Sequence, residues 1–302
     1  MDAHWLQGVF PPIPTAFTQS GELAEPVRPF LEHLGQGGVD GVVGLGSNGE
    51  AAHLTDSERA RALAALRAAL PAPLRLIAGT GADSTRATIE RTRTAADQGA
   101  EAALVIAPSY YRRDLTAAGL AAHYEAVAEA SPIPILIYNV PVNMGYDLPD
   151  EWIPELARHP NVVGLKDSSG NTTRLPGLRA QLGPAFIILA GAGEKMVDAM
   201  GSGADGAIAA LANLAPAACA RIRQHMLVGD VESAAVVQRT IAPLGEALSK
   251  RYGVAGLKAA LRLQGFDHGP PRAPLPALDE AELPHLRQLL NAAQRLPEPL
   301  PS

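Results

Sequence analysis

Lys166 is the residue in this sequence whose type and position most clearly suggest chemistry. It closes the apolar run Asn161–Leu165 and precedes Asp167, so it should stand at the end of a β-strand. The chain has 21 arginines but only 4 lysines, so a lysine at position 166 indicates a function that an arginine cannot perform. A lysine amine can lose its proton and attack a ketone, whereas a guanidinium stays protonated, and burial favours the neutral amine. The sequence therefore predicts a nucleophilic lysine, with a Lys166–Asp167 ion pair as the alternative.

Tyr138 closes another apolar run, Ile135–Ile137, one predicted strand before Lys166. If the two strands are neighbours, their terminal side chains face each other. A phenol hydroxyl both donates and accepts hydrogen bonds, so it can move protons while a carbinolamine becomes an imine. A tyrosine at a strand end is more often a packing residue, and only the pairing with Lys166 favours a catalytic role.

The segment Gly44-Leu-Gly-Ser-Asn-Gly49 matches the G-x-G-x-x-G pattern of dinucleotide-binding turns. However, the next predicted helix starts only near Asp56, and the following strand ends at Thr80 without an acidic residue for a ribose. We therefore favour a turn that binds a carboxylate through backbone N–H groups, the Ser47 hydroxyl and the Asn48 amide. A dinucleotide-binding oxidoreductase and a non-catalytic binding barrel are the alternatives from other functional classes.

Tyr110 and Tyr111 follow a further apolar run, on a predicted loop. Adjacent aromatic residues on a loop usually indicate an interface or a lid, and only sometimes a catalytic group. The residues alone do not decide between these roles.

Short apolar runs alternate with longer amphipathic stretches, which is the pattern of βα units in a parallel sheet. The predicted strands cover residues 9–17, 40–46, 73–80, 102–108, 133–140, 161–167, 185–191 and 205–211. The helices between them include 55–70, opened by a Thr55–Glu58 capping box, and 84–98, opened by Ser84. Eight such units favour an α/β fold, a closed (β/α)8 TIM barrel, over an open doubly wound sheet.

Barrel enzymes build their sites at the carboxyl ends of the strands, so the residues there are the candidates for function. They are Thr15, Ser47, Asn48, Thr80, Tyr110, Tyr111, Tyr138, Asn139, Lys166, Asp167, Ser168, Gly191 and Asn213. After about Pro216 the strand pattern stops, and helical patterns continue at 217–228, 231–248, 254–264 and 279–295. We therefore expect a catalytic barrel domain over residues 1–228 and a C-terminal helical region over residues 229–302. We predict that the chain is ordered, with the exception of the tail LPEPLPS.

Composition excludes several classes of partner. A net charge of −6, a pI near 5.8 and the lack of a basic cluster leave no electrostatic footprint for nucleic acid, so we expect a small-molecule substrate. Cys219 is the only cysteine, which is typical of a cytoplasmic protein. No apolar run is long enough for a membrane helix. The histidines show no metal-ligand spacing, and we expect neither a metal nor a cofactor.

Together these residues resemble the pyruvate-dependent class I aldolases, the family that includes dihydrodipicolinate synthase and N-acetylneuraminate lyase. The resemblance runs over nearly the whole chain. Its motifs, in order, are Gly46-Ser-Asn-Gly-Glu50, Tyr138-Asn-Val-Pro141 followed by Gly145, Gly164-Leu-Lys-Asp167 and Leu189-Ala-Gly191. The resemblance implies that Lys166 forms a Schiff base with a 2-oxo acid and that Tyr138 shuttles protons.

The same resemblance implies roles for further residues. Ser47 would relay protons and, with Asn48, hold the substrate carboxylate. Further substrate contacts are implied for Asn143, Ser168, Gly191 and Ile208. Tyr110 would match a tyrosine that reaches into a neighbouring subunit's site, which implies a homo-oligomer, either a dimer or a tetramer of dimers.

Within the family the sequence most resembles the 4-hydroxy-2-oxoglutarate aldolases. The shared motifs are Gly46–Glu50, Ser84-Thr-x-Ala-Thr88, Tyr110-Tyr-Arg112, Lys166-Asp-Ser168 and Gly253–Lys258. Dihydrodipicolinate synthases typically carry an arginine where this chain has Asn143, so a bidentate grip on the second substrate's carboxylate is lost. Arg112, Arg113 or Ser168 could compensate. The resemblance thus implies cleavage of 4-hydroxy-2-oxoglutarate to pyruvate and glyoxylate, with dihydrodipicolinate synthase and a 2-keto-3-deoxy sugar-acid aldolase as alternatives.

Overall fold

The computed structural model of the protein describes residues 3–295, so the tail LPEPLPS lies outside the described residues. One parallel sheet runs through the molecule with its strands in sequence order. The strands are β1 (Gly41–Gly44), β2 (Arg75–Gly79), β3 (Ala102–Ile106), β4 (Ile135–Asn139), β5 (Val162–Asp167), β6 (Ile187–Ala190) and β7 (Gly206–Ala207). Each of them lies within one of the predicted strands.

The N-terminal segment, residues 8–13, closes this sheet into a barrel. It forms parallel bridges to β7 at Val9↔Ala207 and to β1 at Pro12↔Val43. This segment therefore takes the place of the eighth strand of the barrel, and the predicted (β/α)8 fold is confirmed.

The closure is tight and irregular. A Cβ on Gly206 would lie 2.0 Å from the carbonyl oxygen of Gly8, so the two backbones can approach only because residue 206 is a glycine. The prediction of one continuous strand over 9–17 is wrong in extent, because Pro11, Pro12 and Pro14 have no N–H to donate to a ladder.

Helices follow the strands around the barrel and continue after β7. They are α1 (Arg28–Gln36), α2 (Asp56–Ala69), α3 (Thr85–Asp97), α4 (Ala117–Ala130), α5 (Pro141–Met144), α6 (Ile153–Leu156), α7 (Leu175–Leu182), α8 (Met196–Gly201), α9 (Pro216–Leu227), α10 (Val231–Ala247), α11 (Gly253–Leu263) and α12 (Leu283–Ala293). The predicted capping box is present at the start of α2, where Thr55 and Glu58 exchange hydrogen bonds. Ser84 caps α3 by accepting from the Ala87 N–H.

The C-terminal helices pack on one another and on the barrel. The long helix α10 contacts α9, α12 and the turn that precedes α8. A division of the chain between residues 228 and 229 stays a prediction. Among residues 3–295 no helix combines the length and the apolar character that a membrane crossing needs.

Candidate active site

Lys166 and Tyr138 meet at the carboxyl ends of neighbouring strands, as the sequence predicts. They are register partners between β5 and β4, and each side chain is 5% exposed. The Lys166 Nζ lies 4.1 Å from the centre of the Tyr138 ring. The pairing on adjacent strands fixes the distance between amine and phenol, so neither side chain needs a loop to position it.

Asp167, the next residue of β5, has other partners than Lys166. Successive side chains of a strand point to opposite faces, so Asp167 faces away from the lysine. Its carboxylate accepts from Asn139 Nδ2 at 2.7 Å and from Ser169 Oγ at 2.7 Å. Within residues 3–295 the lysine salt bridges belong to Lys250 and Lys258. The structure therefore gives no support to the ion-pair alternative for Lys166.

A chain of polar side chains connects the glycine-rich turn to Tyr138. Asn143, in α5, donates from Nδ2 to Ser47 Oγ at 3.0 Å. Ser47 Oγ lies 3.3 Å from the Tyr138 hydroxyl. Because Asn143 already donates to Ser47, the Ser47 hydroxyl proton is free to point to Tyr138. The arrangement can pass a proton between the turn and the phenol beside Lys166.

The turn itself has an unusual backbone. Leu45 (φ +56°) and Glu50 (φ +53°) both adopt the left-handed region, which is costly for residues other than glycine. The turn is followed by one short 3-10 helix over Ala51–His53, and α2 starts only at Asp56 with its N-terminus capped by Thr55. No α-helix N-terminus follows Gly49 directly to receive a pyrophosphate, which argues against the dinucleotide alternative.

Glu50 is held by a clamp from the C-terminal part of the chain. Its buried carboxylate lies 2.7 Å from Lys258 Nζ, and the two side chains are 0% and 2% exposed. The same carboxylate accepts from the backbone N–H of Arg272 at 2.7 Å. We call Glu50, Lys258 and Arg272 the turn clamp. Because both charges are buried, removal of either side chain would leave the other charge without its counter-charge in a place that water does not reach.

A second polar cluster lies behind the strand ends that carry Tyr138 and Lys166. Arg174 donates from Nε to Asp150 at 2.6 Å and from Nη1 to Asp147 at 2.8 Å. Nη1 also lies 3.6 Å from the Asp167 carboxylate, and Asn139 bridges Asp147 and Asp167. We call these five residues the strand-end network. It ties the ends of β4 and β5 to the loop after α5.

Sequence reasoning missed the architecture of both clusters. Lys258 was noticed only as part of a family motif, and nothing in the sequence pattern pointed to Arg174. In the clamp, the buried carboxylate of Glu50 lies far from Lys258 along the chain. In the network, Arg174 meets two half-exposed carboxylates of a loop, Asp147 and Asp150. The one available clue was the rarity of lysine, which applies to Lys258 as well as to Lys166.

Other predicted contacts lie at the strand ends near Lys166 or in the core. A Cβ on Gly191 would fall 1.9 Å from Ser168 Oγ, so this glycine makes room for the serine. Asn48 is half-buried in the turn. Ile208 follows β7 with a fully buried side chain, and its N–H donates to Ala190 O at 2.9 Å. Substrate contacts of these residues stay predictions.

Tyr110 lies outside the chain of hydrogen bonds at Ser47 and Tyr138. It is 76% exposed, and its ring packs edge-on against that of Tyr111, which is 69% exposed. Its backbone N–H donates to the Asp83 carboxylate at 2.9 Å, which fixes the loop but leaves the ring free. Two exposed aromatic rings at one place are typical of an interface.

A cavity of about 200 Å³ lies outside the barrel, between the N-terminal segment, α1 and α2. Its walls include Leu45, at the back of the turn, and Phe30 of α1, but neither Lys166 nor Tyr138. The nucleophile and the phenol therefore do not open into it. Among the residues described, no group of three or more His, Cys, Asp or Glu is arranged to hold a metal ion.

Comparisons with known proteins agree with this geometry. The model of the dihydrodipicolinate synthetase family matches residues 5–293. A probable mitochondrial 4-hydroxy-2-oxoglutarate aldolase of Emericella nidulans is 37% identical over an alignment of 303 positions that covers 98% of this chain and 98% of the relative. A 4-hydroxy-tetrahydrodipicolinate synthase of Exiguobacterium is 36% identical over 269 residues, 89% of this chain and 91% of the relative.

Solved structures extend the similarity to the fold. The chloride-inhibited dihydrodipicolinate synthase from Acinetobacter baumannii, complexed with pyruvate, has a TM-score of 0.90 and 33% identity. The similarity covers 95% of this chain and 99% of that one. The lysine-bound enzyme from Cyanidioschyzon merolae has a TM-score of 0.91 and 30% identity, with 96% and 99% covered.

Proposed function

The chain belongs to the dihydrodipicolinate synthetase family, and from that premise we propose that it is a metal-independent class I aldolase that acts on 2-oxo acids. The observation that carries the proposal is the placement of the Lys166 amine 4.1 Å from the Tyr138 ring, with the Tyr138 hydroxyl 3.3 Å from Ser47. A nucleophilic amine beside a hydroxyl that can donate and accept protons is what Schiff-base chemistry requires.

In the proposed reaction the neutral Lys166 amine attacks the C2 ketone of the substrate and forms a carbinolamine. Tyr138 donates a proton to the departing hydroxyl, so that water leaves and an iminium forms. The iminium withdraws electrons from the C3–C4 bond once the C4 hydroxyl loses its proton. For 4-hydroxy-2-oxoglutarate this cleavage releases glyoxylate and leaves an enamine. Protonation of the enamine at C3 and hydrolysis release pyruvate and restore Lys166.

Ser47 and Asn143 support the role of Tyr138 in this scheme. The proton that Tyr138 gives up can be replaced through Ser47, because the hydroxyl groups are within hydrogen-bond distance. Asn143 holds the Ser47 oxygen in place. The backbone N–H groups of the turn and the Asn48 amide are the proposed site for the C1 carboxylate.

We propose 4-hydroxy-2-oxoglutarate as the substrate because of Asn143 and because of the Emericella relative. With Asn143 in place of an arginine, a charge-assisted bidentate contact worth about 1.5–3 kcal/mol is missing for aspartate semialdehyde. The Exiguobacterium relative supports condensation of pyruvate with aspartate semialdehyde as the second candidate. A 2-keto-3-deoxy sugar acid is a further alternative within the same chemistry.

One comparison separates these substrates. We expect kcat/KM for cleavage of 4-hydroxy-2-oxoglutarate to exceed that for condensation of pyruvate with aspartate semialdehyde, measured on one preparation. Asn143→Arg should shift the ratio toward condensation. If condensation is faster in the unmodified protein, the substrate assignment is wrong even though the Schiff-base mechanism stands.

A homo-oligomer, a dimer or a tetramer of dimers, is the proposed assembly. The exposed Tyr110 ring supports it, because a tyrosine that completes a neighbouring site must project from its own subunit. Mixing inactive Tyr110→Phe and Lys166→Ala subunits should then restore part of the activity. No recovery despite proven subunit exchange would rule out a shared site.

The proposed location is the cytoplasm. A single buried cysteine, Cys219, supports a reducing compartment. The Emericella relative is named as mitochondrial, so fractionation of cells that express the protein is the direct test.

A further inference from the structure

A substrate with two carboxylates needs two places that bind an anion. The proposed turn site at Ser47 and Asn48 accounts for the carboxylate next to the ketone. Asn143 is a weak candidate for the second place, because one of its two amide N–H groups already donates to Ser47 at 3.0 Å and the amide carries no charge. A cationic donor near the same loop would bind the far carboxylate more strongly.

Arg112 borders that loop. The helix α5 ends at Gly145, which has a φ of +73°, and a Cβ at this position would lie 3.5 Å from both Nε and Cζ of Arg112. The guanidinium thus lies over the end of the short helix that carries Asn143. That distance is an ordinary van der Waals contact, so the positive φ, and not the guanidinium, accounts for the glycine at position 145.

The loop that carries Arg112 is anchored to its surroundings. The Tyr146 hydroxyl, one residue beyond Gly145, donates to Pro108 O at 2.7 Å. On the other side the Asp83 carboxylate accepts from the N–H groups of Ser109 and Tyr110 at 2.7 and 2.9 Å. These bonds fix the backbone next to Arg112, so its side chain starts from a defined position beside α5.

The charge of Arg112 is not neutralised. Its side chain is exposed, and with the rest of residues 3–295 its guanidinium forms neither an ion pair nor a hydrogen bond. Arg174, which borders the same loop from the inside, is bound by Asp147 and Asp150. Of these two guanidinium groups, Arg112 is the one available to a ligand.

We propose that Arg112 binds the distal carboxylate of the substrate and so selects 2-oxo acids that end in a second carboxylate. This inference rests on the proposed function. A guanidinium presents two parallel N–H donors that match a carboxylate, which gives selectivity for an anion over a neutral group of similar size. Arg112 is in this sense a specificity-determining residue, separate from the groups that react.

The test compares two substrates that differ only at the far end. 4-Hydroxy-2-oxoglutarate carries a carboxylate where 4-hydroxy-2-oxopentanoate carries a methyl group, and both release pyruvate, which chromatography quantifies. Arg112→Ala should lower kcat/KM for the dicarboxylate by roughly ten- to a hundredfold and leave that for the methyl compound nearly unchanged. Arg112→Lys, which keeps the charge but not the paired donors, should lose less.

Arg86→Ala, at an exposed arginine of α3 that pairs with Glu90, is the control and should leave both substrates unaffected. Arg113→Ala tests the adjacent exposed arginine of the same loop, and a selective loss of the dicarboxylate there rather than in Arg112→Ala would overturn the assignment to Arg112. An equal loss on both substrates in Arg112→Ala would make Arg112 a structural residue, and no loss on either would exclude it; both results overturn the inference but not the aldolase. An unmodified protein that cleaves neither compound would overturn the proposed substrate and this inference together, and the proposed class I aldolase would then be judged by the borohydride trapping of pyruvate on Lys166.

Discussion

The two clusters that support the candidate site differ in where their residues come from. The strand-end network is built within the second half of the barrel and stands behind the ends of β4 and β5. The turn clamp joins Glu50 to Lys258 and Arg272, and the hydrogen bond to Arg272 spans 222 positions of the chain. The position of Lys166 therefore depends on the barrel, whereas the proposed carboxylate-binding turn depends on the C-terminal part of the chain.

The charges of the two clusters differ as well. The clamp sets one carboxylate against one ammonium group, both fully buried. In the network one guanidinium meets three carboxylates, of which Asp147 and Asp150 are half-exposed and so partly screened by water. Removal of one partner should thus be more costly in the clamp, where the remaining charge is fully buried and water cannot screen it.

Tyr138→Phe should have the largest effect, because the Tyr138 hydroxyl connects the two regions. We expect kcat to fall by roughly 10²- to 10⁴-fold, the usual range for general acid–base catalysis, with less change in KM. Steady-state kinetics on pyruvate release measures this. Tyr252→Phe, which removes a hydroxyl bound to Glu282 and His285, is the control and should keep normal kcat. An unchanged kcat in Tyr138→Phe would reduce Tyr138 to a packing residue.

Lys258→Met should break the turn clamp and lower the free energy of unfolding by about 3–5 kcal/mol, since the Glu50 carboxylate stays buried without its lysine counter-charge. The double variant Glu50→Gln with Lys258→Met should lose less than the single one. Urea unfolding of the three variants measures the coupling between the two groups. Losses that simply add would mean that the pair does not act as a unit.

Milder changes should separate the two regions by their kinetic effect. Arg174→Lys keeps the charge of the network but loses the paired geometry that holds the end of β5, so kcat should fall by about tenfold at nearly constant KM. Glu50→Gln loosens the turn, so KM for the 2-oxo acid should rise by about tenfold with a smaller change in kcat. If both variants alter the same parameter, the two clusters do not have distinct roles.

The smallest expected effect is a pH dependence at the edge of the clamp. Hydrogen bonds from the Arg272 side chain, followed by the Thr55 N–H, lower the pKa of Glu58 to about 2 from an ordinary 4.5. Because the folded-state pKa is depressed, this stabilisation is complete above pH 4.5 and is lost as the pH falls toward 2. Glu58→Gln, which keeps the cap of α2, should lower Tm by a few degrees at pH 7.

The same Tm difference should shrink as the solution is acidified below pH 4.5. Glu90→Gln, at an exposed ion pair with Arg86, is the control and should change Tm little at any pH. A difference between Glu58→Gln and the unmodified protein that stays constant down to acid pH would show that the Glu58–Arg272 pair contributes nothing.

The barrel and the proximity of Tyr138 to Lys166 could be predicted because they follow local rules. Alternating apolar runs and caps such as Thr55–Glu58 define βα units, and neighbouring units must bring Tyr138 and Lys166 together. The predicted first strand, residues 9–17, is too long. Its apolar pattern is typical of a strand, but its three prolines have no N–H to donate to a sheet.

The supports of the site could not be predicted, since they depend on contacts between distant parts of the chain. No periodicity relates Glu50 to Lys258, and the left-handed backbone of Glu50 becomes understandable only when its buried partners are known. The sequence shows only that Asn143 stands where related enzymes have an arginine. The structure adds that the Asn143 amide donates a hydrogen bond to Ser47. The prediction of these contacts is limited by the distance between the partners along the chain, because hydrophobic periodicity relates only residues that are close in sequence.

Borohydride reduction in the presence of pyruvate tests the central claim most directly, because it traps an imine as a stable amine on the lysine that formed it. We predict that peptide mapping finds the carbon skeleton of pyruvate on Lys166, with no modification when pyruvate is left out. The chain offers three other lysines, Lys195, Lys250 and Lys258, as internal controls. An adduct on one of these three, or no adduct at all in an active preparation, would contradict the Schiff-base mechanism at Lys166.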